Sequence, residues 1–459
     1  MKITYKKLLE DIFTAYFDAR KHKRNTNNQL RFEMQMEEKL VELARDIYER
    51  RYEPSRSVCF IVEHPVKREI FAADFRDRVV HHLLFNYISP LFERHLIADC
   101  YSCRKGFGTL YGIERLEHHI RSCTRNFTRE AYVLKLDIAG YFMSINKDTL
   151  FNVIKLRLEG FGRDRRLKDT FDLDMVLYIT RKIIFDNPTI DCIYKTHPRT
   201  WEGLPAKKSL FGRAENVGLP IGNLTSQLFS NIYLTPFDNY VKRTLNVKHY
   251  GRYVDDFYLV DTDKHFLLQC IRSITEYLRE NLGLELHPNK IYLQSVTKGV
   301  NFLGAHVKPH RRYTVKRTTT DIRRLMYRVN YVCEKTNPTQ DELRMARSLV
   351  NSYLGYLQHF DSHKMKHRIA DKSHGLRKYG QFGNNVCKYK LAPSFLLRAD
   401  NTAPMNINHA YQLRPSLPRT AGTKADAAQI SVGTMVAVDS AAGFYDGTRF
   451  ARDIRCFIN

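Results

Sequence analysis

No apolar stretch in the chain approaches the roughly 20 residues that a membrane-spanning helix needs. Runs such as Val79 to Ile88 are broken within a few positions by His81, His82 and Asn86, so no membrane partner is expected. Cysteine is sparse. Nine are scattered through 459 residues, an odd count without a framework, which excludes a disulfide-built scaffold and suits a reducing, cytoplasmic setting. One Cys-x-x-Cys pair occurs, Cys100 and Cys103; with no second pair at finger spacing, two ordinary buried thiols are expected rather than structural zinc. Acid is also short. Against 74 Lys+Arg stand 49 Asp+Glu, a formal net charge of +25 with a pI near 9.6, which argues against an ordinary metabolic enzyme and for an acidic, extended partner. A disordered basic tail does not explain the excess, because 43% hydrophobic and 12% aromatic residues supply a large core. No internal repeat stands out, and the length suggests roughly two to four folded units.

Residues 1–51 carry helical spacing with charged faces, and the first of them mix acids and bases like an amphipathic helix, unlike a secretory signal. From Tyr52 to Ile70 the pattern turns to short β-type runs. From Phe75 it returns to helix, with Val79, Leu83, Leu84, Tyr87 and Ile88 on one face. The adjacent pairs His81-His82 and His118-His119 point to different sides of a helix and make poor metal sites. Tyr132 to Ile138 alternates like a strand and ends in a lone Asp137, followed by Ala139 and Gly140. An ionised Asp at the end of a core strand is costly, so either a helix N-terminus caps it or a metal binds it.

Between about 147 and 217 the chain reads as a charged, irregular, loop-rich insertion. In the following GLPIGNLTSQLFSNIY, Gly218, Pro220 and Gly222 punctuate a tight loop. Asn223 or Thr225 can cap a helix with Leu224, Leu228 and Ile232 in one stripe. Ser226, Ser230 and Tyr233 occupy the opposite face, where small hydroxyl residues permit either close helix packing or approach of another molecule. The run HYGRYVDDFYLV has apolar arms with Asp255 and Asp256 at its centre, a β-hairpin whose tip presents carboxylates. Lys290 follows a Pro-Asn turn, and GVNFLGAHV reads as a Gly-flanked strand pair. Residues 311–378 are helical again, with 16 Lys+Arg against 6 Asp+Glu, a local excess of 16 − 6 = +10. There Thr339 and Glu342 form a capping box ahead of Leu343, Ala346, Val350, Leu354 and Leu357. Past Tyr379 the composition shifts once more, and from Ala421 it is rich in Ala, Gly, Ser and Thr, with no function assigned.

Three acids on two β-elements, Asp137 with Asp255 and Asp256, are the minimum for holding two Mg²⁺ ions about 3.5–4 Å apart, with Mn²⁺ as a possible substitute. Such a pair serves nucleotidyl transfer, and the basic surface then reads as a track for a nucleic-acid backbone. In this order the segments resemble the seven-motif core of reverse transcriptases from roughly Tyr52 to Phe360. The resemblance implies an α+β right-hand polymerase: 1–51 an N-terminal helical segment, 52–130 fingers, 131–310 a palm with antiparallel sheet and the 147–217 insertion, 311–378 a helical thumb, and 379–459 a C-terminal extension of unknown role. It implies Asp137, Ile138, Asp255 and Asp256 as metal ligands. Arg68, Phe142, Ile221, Gly222, Gln227 and Lys290 would lie around the incoming nucleotide, with Phe142 as the bulky gate against a ribose 2′-hydroxyl. Phe302, Leu303 and Gly304 resemble the primer grip. Exposed thumb positions such as Lys316, Arg317, Arg323 and Arg324 are expected on the nucleic-acid backbone.

Most reverse transcriptases read Gln-Gly in the second palm motif, whereas this chain has Ile221-Gly222 and Ser226-Gln227. That form resembles the enzymes of bacterial and phage diversity-generating retroelements. The resemblance implies cDNA synthesis on a template RNA with substitutions at template adenines, deoxynucleoside triphosphates as substrates, an RNA–cDNA hybrid, and a small basic accessory protein. A defence-associated or retron-like reverse transcriptase shares the same acids and would be separated by its gene neighbours; a non-catalytic RNA-binding module would have no electrostatic reason to keep three mutually repelling carboxylates.

Overall fold

The computed structural model describes residues 2–21, 26–64, 66–164 and 171–395. The part of the expected C-terminal extension beyond residue 395 lies outside the described residues. The fold is α+β, in two compact units, one built on the residues up to Arg312 and the other from Tyr313 on.

In the first unit three helices come first, α1 (Tyr5–Arg20), α2 (Asn27–Glu33) and α3 (Met36–Tyr48). Thr4 and Thr26 cap the first two by accepting from the amides of Lys7 and Gln29. Strands β1 (Ser57–Val62) and β2 (Arg68–Ala72) then pair antiparallel. The long α4 (Phe75–Glu93) packs its buried Val79, Leu83, Leu84 and Ile88 inward, while Tyr87 is half-buried and bonds Asp11. After α5 (Thr109–Cys123) come β3 (Tyr132–Asp137) and α6 (Tyr141–Ser144).

The stretch expected to be irregular is largely helical: α7 (Lys147–Arg163) and α8 (Leu173–Phe185) fill its first half. Leu150, Ile154, Leu158 and Phe161 form a buried stripe on α7, but charged residues between them dilute the pattern in the sequence. The second half does run through turns, and its short β4 (Cys192–Tyr194) joins β1 in parallel to give the sheet order β2-β1-β4.

Helices α9 (Leu224–Tyr233) and α10 (Thr235–Asn239) lead into the hairpin β5 (His249–Tyr253) and β6 (Asp256–Asp261). Asn223 holds the N-cap position of α9 without capping it; its Oδ1 accepts from the Ala73 amide instead. Ser226, Ser230 and Tyr233 are buried, as are Leu228 and Ile232, so both faces of α9 are covered. With α11 (Lys264–Leu282) behind it, a four-stranded antiparallel sheet forms in the order β5-β6-β3-β7, where β7 is Tyr292–Ser295. Phe257 to Val260 on β6 are all buried, because α5 and α11 pack against this sheet. A smaller hairpin, β8 (Val300–Phe302) and β9 (Ala305–Lys308), follows, and at β10 (Arg311–Thr314) one unit gives way to the other.

The second unit holds α12 (Lys316–Cys333), α13 (Gln340–Leu357), α14 (His363–Lys372) and the hairpin β11 (Gly380–Phe382) and β12 (Tyr389–Leu391). Thr339 and Glu342 cap each other's backbone at the start of α13, worth about 1 kcal/mol. Its core joins Ile322, Leu325 and Val329 to Val350, Leu354 and Leu357. That core continues through Tyr389 and Leu391, so the compositional break at residue 379 falls inside a packed unit.

Candidate active site

Register brings the acids together. In the β3–β6 ladder Asp137 lies directly opposite Asp256, and Asp255 stands in the turn that joins β5 to β6. The Ile138 amide donates to the Asp255 carbonyl at 3.1 Å, tying the end of β3 to that turn. Like charges placed opposite each other repel, and the surroundings answer with cations. Lys290 donates to both carboxylate oxygens of Asp137, at 2.9 and 3.0 Å. Lys135 lies 3.1 Å from Asp256 Oδ2. Instead of the helix N-terminus expected as one alternative, a lysine from a distant turn contacts Asp137.

Burial, with the charges of Asp137 and Asp256, pushes the Asp255 carboxyl up to about 7, opposed by Arg68. Burial likewise raises Asp256 to about 6, with Lys135 pulling it back. Arg68, at the start of β2, is lowered from its usual range by burial, while Asp255 and Asp137 act to raise it. Arg68, Lys135 and Lys290 thus supply three cations to three carboxylates. Asp256 Oδ1 is buried and has no hydrogen-bond partner. Among the described residues no group of three or more His, Cys, Asp or Glu side chains is arranged to hold a metal ion; Asp137 and Asp256 contact lysines.

Around this centre the loop before α9 docks on β2. The Phe71 amide donates to the Ile221 carbonyl at 2.8 Å, and a Cβ on Gly222, whose φ is +131°, would lie 2.7 Å from the Phe71 carbonyl oxygen, so only glycine allows this approach. The Ile221 side chain packs on the fully and partly buried residues of β1 and β2, among them Phe60, Val62 and Ile70. Gln227 is half-buried and accepts from the Cys103 thiol at 3.3 Å. Phe142 is buried, its ring 5.5 Å from that of Tyr141, and its carbonyl accepts from the Leu219 amide.

In the β8–β9 turn, Leu303 and Gly304 both have positive φ, as a two-residue hairpin demands. Phe302 packs edge-on against Tyr258 at 5.0 Å, and Leu303 abuts Gly112, so these two side chains anchor the turn from within. Tyr258 in turn bonds Tyr101 at 2.9 Å and His119 at 3.0 Å through its hydroxyl. Gly251 on β5 lies against those tyrosines, where a Cβ would sit 2.6 Å from the Tyr258 hydroxyl. In the second unit Lys316, Arg317, Arg323 and Arg324 are exposed on α12, with Asp321 near Arg317 and Arg324.

Sequence reasoning missed Lys135, Ser102, Asn231, Asp238 and Arg252. Period-two alternation offered a signal for Lys135, which shares a face of β3 with Asp137. The others meet only through the tertiary fold. His81 and His119 serve the interior: His81 Nδ1 bonds Thr225 Oγ1 at 2.7 Å, and His119 bonds Tyr258.

A family model for reverse transcriptase (RNA-dependent DNA polymerase) matches residues 67–307. Protein YkfC of Escherichia coli (strain K12) is 22% identical over 304 residues, 59% of this chain and 71% of that protein. Among solved structures, telomerase from Candida albicans in complex with a TWJ fragment of telomeric RNA is 13% identical, covering 76% of this chain and 63% of that one, with a TM-score of 0.42. Apo telomerase from Candida tropicalis, truncated from its C-terminal domain, is 14% identical, covering 57% and 55%, with a TM-score of 0.40. The chain spans less than two thirds of the length of either telomerase chain.

Proposed function

Because the chain belongs to the reverse transcriptase (RNA-dependent DNA polymerase) family, we propose that it copies a template RNA into cDNA as the polymerase of a diversity-generating retroelement, with errors concentrated at template adenines. RNA-directed DNA synthesis is the general activity of the family. In this reading residues 52–130 are fingers, 131–310 palm and 311–378 thumb, the first residues of the 379–459 extension pack into the thumb core through Tyr389 and Leu391, and a small basic accessory protein assists.

Reverse transcriptases generally use divalent metal ions, and although Asp137 and Asp256 rest on lysines here, the chemistry of the donor set suits such ions: Asp256 keeps a buried oxygen without a partner, and burial with mutual repulsion raises Asp255. Asp137, Asp255, Asp256 and the Ile138 carbonyl would hold two Mg²⁺ ions, which when bound make a primer hydroxyl more acidic and neutralise departing pyrophosphate. The chain's own groups do the rest. Lys135 and Lys290 hold the carboxylates of Asp256 and Asp137 in place, and Arg68 adds positive charge facing the same acids. Gly222 lets the Ile221 loop close on β2 beside Arg68, which suits a triphosphate seat.

The observation that carries the polymerase reading is the convergence of Asp137, Asp255 and Asp256 at one end of the sheet. Its retroelement form is supported by Ile221-Gly222 and Ser226-Gln227. Primer extension on a defined RNA by purified protein, followed by cDNA sequencing, tests both. Asp255→Asn is expected to remove synthesis by at least about a thousandfold, roughly 4 kcal/mol, with RNA binding retained; full extension by that variant would sink the assignment.

A further inference from the structure

We propose that Ser102 and Arg252 are positioning residues that clamp the turn carrying Asp255 by holding both backbone polar groups of Val254. The inference rests on the polymerase reading above and concerns the same acids.

Val254 has φ +56° and is buried. A β-branched residue in left-handed backbone is disfavoured and persists only where its surroundings impose it. Here they do so at both ends of the residue. The Val254 amide donates to Ser102 Oγ at 3.2 Å, and its carbonyl accepts from Arg252 Nη1 at 3.0 Å. The two side chains are joined through Asn231, whose Oδ1 accepts from Ser102 Oγ at 2.9 Å and from Arg252 Nη1 at 3.3 Å. Asn231 Nδ2 also donates to the Ser102 carbonyl at 2.8 Å.

Arg252 itself is locked. Its Nε and Nη2 donate to the two oxygens of Asp238 at 2.8 and 2.6 Å, and Tyr250 donates to the same carboxylate. Its backbone bonds Asp99 and Tyr101, which seats the chain that carries Ser102 alongside β5. Ser102, Asn231, Asp238 and Arg252 are all essentially inaccessible to solvent. Their hydrogen bonds reach the Val254 peptide and one another, not the carboxylates of Asp137, Asp255 or Asp256, so their role is to fix the peptide from which Asp255 projects. A small rotation at Val254 would swing Asp255 away from Asp137 and Asp256, and misplacement on the order of 1 Å can cost about a hundredfold in rate.

The test is single-nucleotide extension by the full chain, with rates expressed per titrated active site. Ser102→Ala is expected to lower kcat by about tenfold or more while leaving KM for the nucleotide within about twofold, and Ser102→Thr, which keeps the hydroxyl, is expected to restore most of it. Val254→Gly removes the backbone strain, so in that background the loss from Ser102→Ala is expected to shrink to less than about threefold. A kcat for Ser102→Ala within twofold of wild type, or the same loss in both backgrounds, overturns the clamp. Hydrogen exchange on the wild-type protein decides the matter where Ser102→Ala does not fold. A Val254 amide exchanging as slowly as the core of β6 supports the clamp, and one exchanging like an exposed turn overturns it. If wild type is as inactive as Asp255→Asn, the polymerase reading fails, and the exchange measurement still judges the clamp.

Discussion

Lys290 Nζ forks onto Asp137, 2.9 Å from one carboxylate oxygen and 3.0 Å from the other. The lysine comes from a turn 153 residues further along the chain, yet it contacts the acid that ends β3. With Lys135 on Asp256 and Arg68 facing Asp255, the centre is a cluster of protein cations on acids that would otherwise repel. A metal ion that takes the Asp137 oxygens or Asp256 Oδ2 must compete with those ammonium groups, whereas Asp256 Oδ1 has no partner.

Lys135→Met is therefore expected to lower the half-saturating Mg²⁺ concentration for primer extension at pH 8 by about threefold, the scale of a partly exposed ion pair. A magnesium titration checks it; a higher requirement in the variant would show that Lys135 helps to shape the site and does not compete for it.

Ile221 packs on β1 and β2 while its carbonyl holds Phe71. Replacing it by Gln places an amide where the resemblance implies that one is common. Regaining one positioned hydrogen bond of about 0.5–1.5 kcal/mol would reduce errors by roughly 2- to 13-fold. Ile221→Gln is expected to lower misincorporation opposite adenine more than opposite other bases. Deep sequencing of cDNA decides it, since equal adenine error rates in equally active enzymes would remove Ile221 from the account of fidelity.

Burial, with His82 and Arg78 nearby, lowers His81 to about 3, whereas the unfolded chain titrates near 6.5. Between these values the unfolded state binds the extra proton, so the stability from neutral His81 is present above about pH 6.5 and lost as pH falls toward 3. The raised carboxylates Asp255, Asp256 and Asp186 act in the opposite direction, so the effect shows as a difference between variants. The stability gap between wild type and His81→Gln is expected to narrow by up to about 1.4 kcal/mol per pH unit below pH 6. Urea unfolding at pH 7, 6 and 5 measures this; a constant gap would mean that His81 titrates normally in the fold.

On α12, Lys316, Arg317, Arg323 and Arg324 are exposed. If all four meet phosphates, changing them to Gln should flatten the logarithmic salt dependence of binding to an RNA–DNA hybrid by up to about 3–4. Asp321 already sits near Arg317 and Arg324, so Lys316 and Arg323 are expected to account for the larger share. An unchanged slope would leave α12 a solvated face.

Local patterns were readable in the sequence wherever short-range chemistry decides the structure. The apolar strand ending at Asp137, the two acids between β-type arms and the Thr339–Glu342 box each announce themselves within a dozen residues. Helix α7 was hidden because Lys155, Arg157 and Glu159 crowd the spaces between its buried positions. Lys135 apart, whose place on the Asp137 face of β3 follows from period-two alternation, the partners of the acids and of their turn could not be read from local pattern, since Lys290 and Asp137, or Ser102 and Val254, meet only after the sheet and its loops have closed.

Gly251 has room for two tyrosine hydroxyls and nothing more. That fit imposes an order on sequence change. Alanine can enter at 251 only after Tyr101 and Tyr258 have both been trimmed or displaced, yet trimming either one severs the hydroxyl chain that reaches His119 and Asp99. Each single step along that route is expected to destabilise the fold, by a clash at 251 or by hydroxyl bonds lost. In a saturation library position 251 should therefore tolerate glycine alone, and the tyrosines should show strong epistasis with it.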